Sequence, residues 1–360
     1  MFKFPRYSLS LTHGFCHPTE CLQSLPGLSD HISLLTPPNS FSPNLLSSIP
    51  EYQPPKSLDP SELEFAFLVH TMLNTYLYWY NEQPAIKIPK NLARPTVLLS
   101  KLLDRPPILS LVSIQYHNWV YLSKPGLFHP DNLKNFFSFT GTRDEDYFFS
   151  VANYIEFLGT PGLKSVLELP DYYEHPTEFS KSLEKIILCL EQMTKALDIL
   201  FEKVDPAQFY HGFRKKLRSF GVVEFEGTGC HFENLMGASA VQSPLMKVFD
   251  AFIGLNHKSD YMKQTEKFMK TEHRLLLESL RKRDLQDLHK AIHNSNNQSI
   301  FNEIIQSLSK FRLKHIQVSQ EFVSKQSNTH NPTGTGGSPL TQFLSKIQEN
   351  TKNCLIPNSK

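Results

Sequence analysis

From residue 139 onward the apolar residues recur at helical spacing, and this pattern limits the possible folds more than any other feature of the chain. In residues 177–204, Leu183, Ile187 and Leu190 lie on one stripe, and Glu and Lys occupy the opposite side. No alternation of strand and helix signals appears, nor does any internal repeat. The sequence therefore predicts an all-α fold.

Proline divides the chain into two parts, because 17 of the 25 prolines precede residue 139. Asp59 and Pro60 form a typical helix start, an N-cap followed by proline in the first turn. We predict two helical domains, a small one over residues 1–138 and a larger one over residues 139–360. Within the larger domain, a polar glycine-rich tract near residues 326–338 predicts a mobile loop.

The local patterns also predict individual elements. A short helix is expected around residues 96–103, and a short buried one at 147–158. Residues 106–122 are almost entirely apolar and fit either a strand or a buried helix. Further along, the patterns predict a helix at 207–220, a loop at 222–242 and one amphipathic helix over 261–283.

Composition excludes several classes of protein. A net charge of +2, from 37 basic and 35 acidic residues, gives no strong positive field, so we expect no nucleic-acid partner. No segment approaches the ~18 apolar residues of a membrane span, so we expect no membrane partner. The N-terminus lacks the apolar core of a secretory signal. The odd number of cysteines fits a reducing compartment, and we therefore expect a cytoplasmic protein.

Two short motifs suggest chemistry that their surroundings do not support. Cys16, His17 and Cys21 lie close together, but a second ligand pair at zinc-finger spacing is missing, so we interpret the cysteines as free thiols. The glycine run at 334–337 lacks the preceding strand and the following lysine of a phosphate-binding loop.

His315 is the most informative single residue. It follows Ile304, Leu308 and Phe311 along the apolar stripe of a long helix. An unpaired buried imidazole costs about 1–3 kcal/mol, so this side chain must pair or bind a ligand. The residues alone favour a core histidine bonded to a backbone carbonyl and leave an axial haem ligand as the alternative. Without a C-x-x-C-H motif, any haem would be bound non-covalently.

Several motifs together resemble one family. The segment FRLKHIQVSQEFV, which contains His315, resembles the proximal-ligand helix of the indoleamine 2,3-dioxygenase family. LARPTVLLSKLLDRPPIL resembles its small-domain signature. Three further matches follow in order: 137–156 with the distal segment, 205–217 with the substrate-facing helix, and 236–254 with the inter-helix loop. GTGGSPLTQFL resembles the loop that closes the family's pocket.

The resemblance implies a role for nine residues. His315 would be the proximal ligand of a haem b iron, and Arg312 would face the haem propionates and pair with Asp250. The substrate side would consist of Phe148 and Phe209 as pocket walls, Arg214 as the carboxylate clamp, and Ser239, Ala240 and Thr335 as pocket lining, with Ser239 also beside the haem edge. On an ideal α-helix, however, Phe209 and Arg214 would point about 140° apart.

The implied function is that of a monomeric haem-dependent dioxygenase, ferrous in its active form. It would cleave the indole C2–C3 bond of L-tryptophan with O2 to give N-formylkynurenine, the first step of the kynurenine pathway, and would need a reductant for the iron. Three alternatives remain open: a non-catalytic haem or oxygen-binding protein, a dioxygenase for another indole derivative, and a helical interaction protein without a cofactor.

Four residues depart from the family pattern. Ala152 replaces a hydroxyl side chain found in several members, and Leu111 replaces a tyrosine found in others. Ala238 and Val241 add methyl groups to a loop that is otherwise rich in glycine, which predicts a narrower pocket or a stiffer loop.

Overall fold

The computed structural model describes residues 27–36, 41–46, 48–55, 58–123, 126–257, 259–329 and 332–357. The motif at Cys16, His17 and Cys21 lies outside these residues. Helices dominate the described chain, and the predicted all-α class is confirmed. None of the helices described is both long enough and apolar enough to cross a membrane.

The α-helices of the described residues follow one another in this order: α1 (Ser29–Ser33), α2 (Pro43–Leu46), α3 (Pro60–Tyr78), α4 (Lys90–Leu103), α5 (Arg143–Glu168), α6 (Pro176–Ala196), α7 (Asp198–Lys203), α8 (Pro244–Phe252), α9 (Asp260–Glu266), α10 (Thr271–Arg281), α11 (Leu285–Asn294), α12 (Gln298–Ser319) and α13 (Leu340–Lys352). The first long helix, α3, begins as predicted. Asp59 accepts hydrogen bonds from the first turn, and Glu62 completes the capping box.

Short strands supplement the helices. They are β1 (Lys87–Ile88), β2 (Trp119–Tyr121), β3 (Leu133–Asn135), β4 (Val223–Phe225) and β5 (Cys230–Phe232). β1 pairs in parallel with β4, β4 pairs in antiparallel with β5, and β2 and β3 form a separate antiparallel pair. The predicted loop at 222–242 was therefore wrong in part, because strands of three residues are too short to produce a periodic signal.

Two predicted helices proved too short. The helix expected at 96–103 begins at Lys90, and Pro95 lies within it. The buried helix expected at 147–158 extends from Arg143 to Glu168 and includes Pro161. A Cβ on Gly162 would lie 3.2 Å from the Cys189 Cβ, which shows that α5 and α6 pack closely at this point. We infer that this packing outweighs the tendency of Pro161 to end the helix.

Other segments are more broken than the periodicity predicts. Residues 261–283 form two helices, α9 and α10, separated by a turn that buries Phe268 and Met269. In the ambiguous segment 106–122, a π-helical turn at Val112–Tyr116 precedes strand β2, so both interpretations hold in part. Apolar side chains at these interruptions are buried in the core, and tertiary packing of this kind overrides the local helical pattern.

Several contacts join the chain on either side of residue 138. Besides the β1–β4 pairing, the ring of Tyr78 stacks on Phe220 with centroids 3.9 Å apart. Glu64 on α3 forms an ion pair with Arg105 and lies 3.6 Å from the Lys270 Nζ atom. The two predicted domains thus share a sheet and a buried ionic cluster, and their separate identity remains a prediction.

Candidate active site

Two adjoining cavities, of about 210 and about 180 Å3, lie among α5, α8, α12 and the π-helical turn at Val112–Tyr116. The residues that line both cavities are mostly apolar: Leu111, Gln115, Phe148, Ala152, Ala240, Val241, His315, Val318 and Leu344. All nine residues that the sequence assigned to a site line at least one cavity. The residues that the resemblance assigned to a site therefore lie close together in the fold, and their individual roles stay predictions.

His315 lies on the wall common to both cavities. Burial, together with the positive charge of Arg312, lowers its pKa to about 4. The ring is therefore neutral near pH 7, and within the described chain no hydrogen bond engages its nitrogens. A neutral imidazole that faces an apolar cavity has a lone pair available for a metal ion. This arrangement fits the single protein ligand of a non-covalently bound haem.

A buried ion pair lies beside this histidine. Arg312 donates to the Asp250 carboxylate and to the Thr351 hydroxyl, and His257 Nε2 lies 2.7 Å from the second Asp250 oxygen. Burial alone would raise the pKa of Asp250, but Arg312 and the His257 hydrogen bond hold it below its usual value. Asp250 therefore carries a charge at neutral pH, and it orients Arg312 at the edge of the larger cavity.

Aromatic rings form one wall of the smaller cavity. The rings of Phe148 and Phe209 are 4.6 Å apart and inclined by 30°. Phe213 packs edge-on against both rings, and Phe322 packs edge-on against Phe209. These contacts fix a flat apolar surface on which a planar aromatic ligand could stack.

The segment that carries Phe209 and Arg214 is not the α-helix that the sequence predicts. Gln208–Phe213 is a π-helical turn followed by a 3-10 turn at Arg214–Leu217, so the predicted helix at 207–220 was wrong in type. The Arg214 N–H donates to the Phe209 carbonyl, a bond between residues five apart. Both side chains line the same cavity on this wider turn, although ideal α-helical geometry would point them about 140° apart.

Arg214 is buried and already bonded. Its Nη2 atom donates to the Thr333 carbonyl oxygen over 2.5 Å, and its guanidinium lies 5.2 Å from the Tyr210 ring centroid. Burial lowers the pKa of Arg214. Its planar group of donors nevertheless suits a carboxylate, which accepts two parallel hydrogen bonds.

Two loops complete the smaller cavity. Ser239 and Ala240 belong to the loop before α8, and Thr335 belongs to the loop before α13. The Thr335 carbonyl accepts a hydrogen bond from the Ser219 amide over 3.0 Å, which ties the second loop to the protein. The loops also touch each other, because a Cβ on Gly336 would lie 3.3 Å from the Ser239 Cβ. The mobility of residues 326–338 stays a prediction.

Gly237 is the loop position with the least space, and we predict that Gly237→Ala destabilises the protein. A Cβ there would lie 2.2 Å from the Leu217 carbonyl oxygen, and this backbone has no flexible end that could yield. We expect a loss of about 1–3 kcal/mol in the free energy of unfolding, measured by urea denaturation. Gly212→Ala is the control, since its Cβ would make an ordinary 3.6 Å contact with Thr140. Equal stability of the two variants would contradict the prediction.

Sequence reasoning missed four polar residues that line the larger cavity: Gln115, Glu156, Ser243 and Lys247. Lys247 is buried and donates to the Thr265 hydroxyl over 3.0 Å. Glu156 accepts hydrogen bonds from the Tyr116 and Ser243 hydroxyls on the same oxygen. The signal was present, because Glu156 is the only charged residue in the mostly apolar stretch 147–158.

Glu156 predicts a specific dependence of stability on pH. Burial raises its pKa from 4.5 to about 7, although the two hydroxyl donors oppose this change. The unfolded chain releases this proton near pH 4.5 and the folded chain only near pH 7, so the stabilisation is complete below pH 4.5 and is lost as pH rises through 7. Glutamine cannot ionise, so the free energy of unfolding of Glu156→Gln should fall by about 3 kcal/mol less than that of the wild type between pH 5 and pH 8. Urea denaturation at both pH values measures this, and identical pH profiles would refute it.

Comparison with known proteins defines the family. A family model described as indoleamine 2,3-dioxygenase matches residues 3–354. The chain belongs to this family, and the resemblance is confirmed. Members of the family are haem-dependent dioxygenases.

The curated relatives have low sequence identity to this chain, but the matches cover most of its length. The chain is 25% identical to indoleamine 2,3-dioxygenase 2 of Homo sapiens over 325 residues, which are 82% of this chain and 80% of that protein. It is 27% identical to indoleamine 2,3-dioxygenase 1 of Rattus norvegicus over 75% of this chain and 73% of that protein. It is 24% identical to a 6-hydroxytryptophan 2,3-dioxygenase, fscD of Fusarium equiseti, over 97% of this chain and 96% of that protein. The chain is therefore a divergent member of the family.

Proposed function

We propose that this chain binds haem b through His315 and cleaves the indole C2–C3 bond of L-tryptophan with O2 to give N-formylkynurenine. The observation that carries the proposal is the position of His315, a neutral imidazole on the wall common to two apolar cavities. The larger cavity would hold the haem, with Arg312 near its carboxylates. The smaller one, which Arg214 lines, would hold the substrate.

The residues supply binding and position, whereas the cofactor supplies the oxygen chemistry. Bound haem iron, kept ferrous by a reductant, would activate O2, for which no amino-acid side chain is suited. Arg214 would bind the substrate carboxylate by exchanging its bond to the Thr333 carbonyl. Phe148 and Phe209 would hold the indole plane, and the Thr335 loop would exclude water.

The overall reaction balances without a further substrate. One carbon–carbon bond of the indole breaks, and both atoms of O2 enter the product as two carbonyl oxygens. Turnover itself consumes no electrons beyond those of the indole and O2. The catalytic contribution of the chain would therefore be orientation within a dry pocket rather than proton transfer by a distal base.

A related indole derivative is the second candidate substrate. Val241 lines both cavities and Ala238 lines the smaller one. Compared with glycine, Val241 adds an isopropyl group and Ala238 a methyl group to the pocket wall. One relative is named for 6-hydroxytryptophan rather than for tryptophan. A changed pocket together with this relative supports a substrate other than tryptophan on the same haem site.

An absorption spectrum of the haem-reconstituted, reduced protein under oxygen tests the proposal. We expect a Soret band and the growth of N-formylkynurenine absorbance after L-tryptophan is added. A Soret band without product would overturn tryptophan as the substrate and leave another indole or oxygen binding. A colourless protein would overturn the haem site and favour an interaction protein.

A further inference from the structure

Gln115 places an unpaired amide in an otherwise apolar part of the pocket. It lies in the π-helical turn at Val112–Tyr116, is only 6% exposed and lines both cavities. No hydrogen bond joins its side chain to any other residue in the described part of the chain. The amide carries two N–H donors and a carbonyl acceptor, so its hydrogen-bonding capacity is unused in the absence of a ligand.

Gln115 and His315 are the two polar side chains on the wall that both cavities share, and His315 is the proposed iron ligand. Glu156 lines only the larger cavity, where one of its oxygens accepts both the Tyr116 and Ser243 hydroxyls and the other is buried. Arg214 lines only the smaller cavity. Around Gln115, the shared wall is formed by apolar side chains such as Leu111 and Ala152. An amide in such a setting favours a ligand that can pair with it.

The position of Gln115 relates it to the ring of a substrate rather than to its carboxylate. A tryptophan-like amino acid held by Arg214 in the smaller cavity would extend its indole towards the shared wall. Phe148, Gln115 and His315 all belong to that wall. The side chain of Gln115 thus lies where it can contact a substituent of the ring.

We propose that Gln115 makes the pocket selective for tryptophan-like amino acids that carry a hydroxyl group on the benzene ring of the indole. This inference rests on the proposed function and specifies its substrate class. A ring hydroxyl both donates and accepts, so it satisfies the amide in either orientation. An unsubstituted ring leaves the buried amide unpaired, and a site built to bond a hydroxyl discriminates strongly against the analogue that lacks it.

The test compares kcat/KM for 5-hydroxytryptophan, 6-hydroxytryptophan and L-tryptophan in the haem-loaded protein and in Gln115→Leu. We expect the wild-type protein to favour one hydroxylated substrate by about tenfold and Gln115→Leu to lose that preference. 6-Methyltryptophan is of similar size but has no hydrogen-bonding group on the ring, so the wild-type protein should not favour it over L-tryptophan. Gln286→Leu, the same change at an exposed position on α11, should behave as wild type.

Equilibrium dialysis of the same compounds gives a readout that does not depend on turnover. A tighter dissociation constant for the hydroxylated ligand, lost in Gln115→Leu, supports the inference even where the protein turns over none of them, an outcome that would overturn only the proposed reaction. Equal binding of hydroxylated and unsubstituted ligands by the wild-type protein would overturn the inference. So would a Gln115→Leu variant that weakens all ligands alike, because that result indicates a structural role.

Discussion

His315→Ala is expected to yield a protein that retains no haem and has no dioxygenase activity. His315 is the imidazole on the wall shared by both cavities, and its low pKa keeps it neutral and able to bind iron. Loss of groups that merely orient a metal ligand costs about 10–100-fold in metal affinity, and loss of the ligand itself should cost more. Haem content is measured from the Soret absorbance per mole of protein after gel filtration.

Two controls separate ligand loss from misfolding. His293→Ala changes an exposed histidine on α11 and should retain haem as the wild type does. His315→Gly leaves a void that free imidazole can enter, so added imidazole should restore the Soret band. A full Soret band with normal turnover in His315→Ala would eliminate the proposed ligand.

Arg214→Ala is expected to raise KM for L-tryptophan by about 100-fold and to leave haem content unchanged. A hydrogen bond to a charged group contributes about 1.5–3 kcal/mol, and Arg214 can offer a carboxylate two such bonds. Its present partner, the Thr333 carbonyl, is neutral, so the incoming carboxylate gains an ionic attraction that the carbonyl lacks. Steady-state kinetics with tryptophan measures the effect.

Tryptamine, which lacks the carboxylate, provides the matched control for Arg214. If Arg214 binds the carboxylate, wild type and Arg214→Ala should handle tryptamine equally poorly. Arg214→Lys keeps the charge without the planar pair of donors, so its KM for tryptophan should lie between those of the wild type and Arg214→Ala. An equal loss with both substrates would assign Arg214 to loop structure instead.

The helical class, the long helices and the buried stripe of His315 could be predicted because they depend on local periodicity. The bonds of Arg312 to Thr351 and of Arg214 to Thr333 could not be predicted, since these residues meet only through the tertiary fold. The identification of Asp250 as the partner of Arg312 came from the family resemblance, which the structure matches with an ion pair.

The site residues that sequence reasoning missed share one physical property. Gln115 and Glu156 are polar side chains in apolar segments, and periodicity assigns such positions to the core without saying what they face. The π-helical turn at Gln208–Phe213 escaped prediction for a different reason. Its sequence is compatible with an α-helix, and only the surrounding packing selects the wider turn.

The parallel pairing of β1 with β4 has a consequence for the order of folding. Lys87 pairs with Glu224, and the third strand of this sheet ends at Phe232. During synthesis, β1 therefore has no partner strand until the ribosome has added more than a hundred further residues. Contacts between residues so distant in sequence form slowly. We expect a chain truncated before β4 to expose this edge and to aggregate rather than fold as an independent small domain.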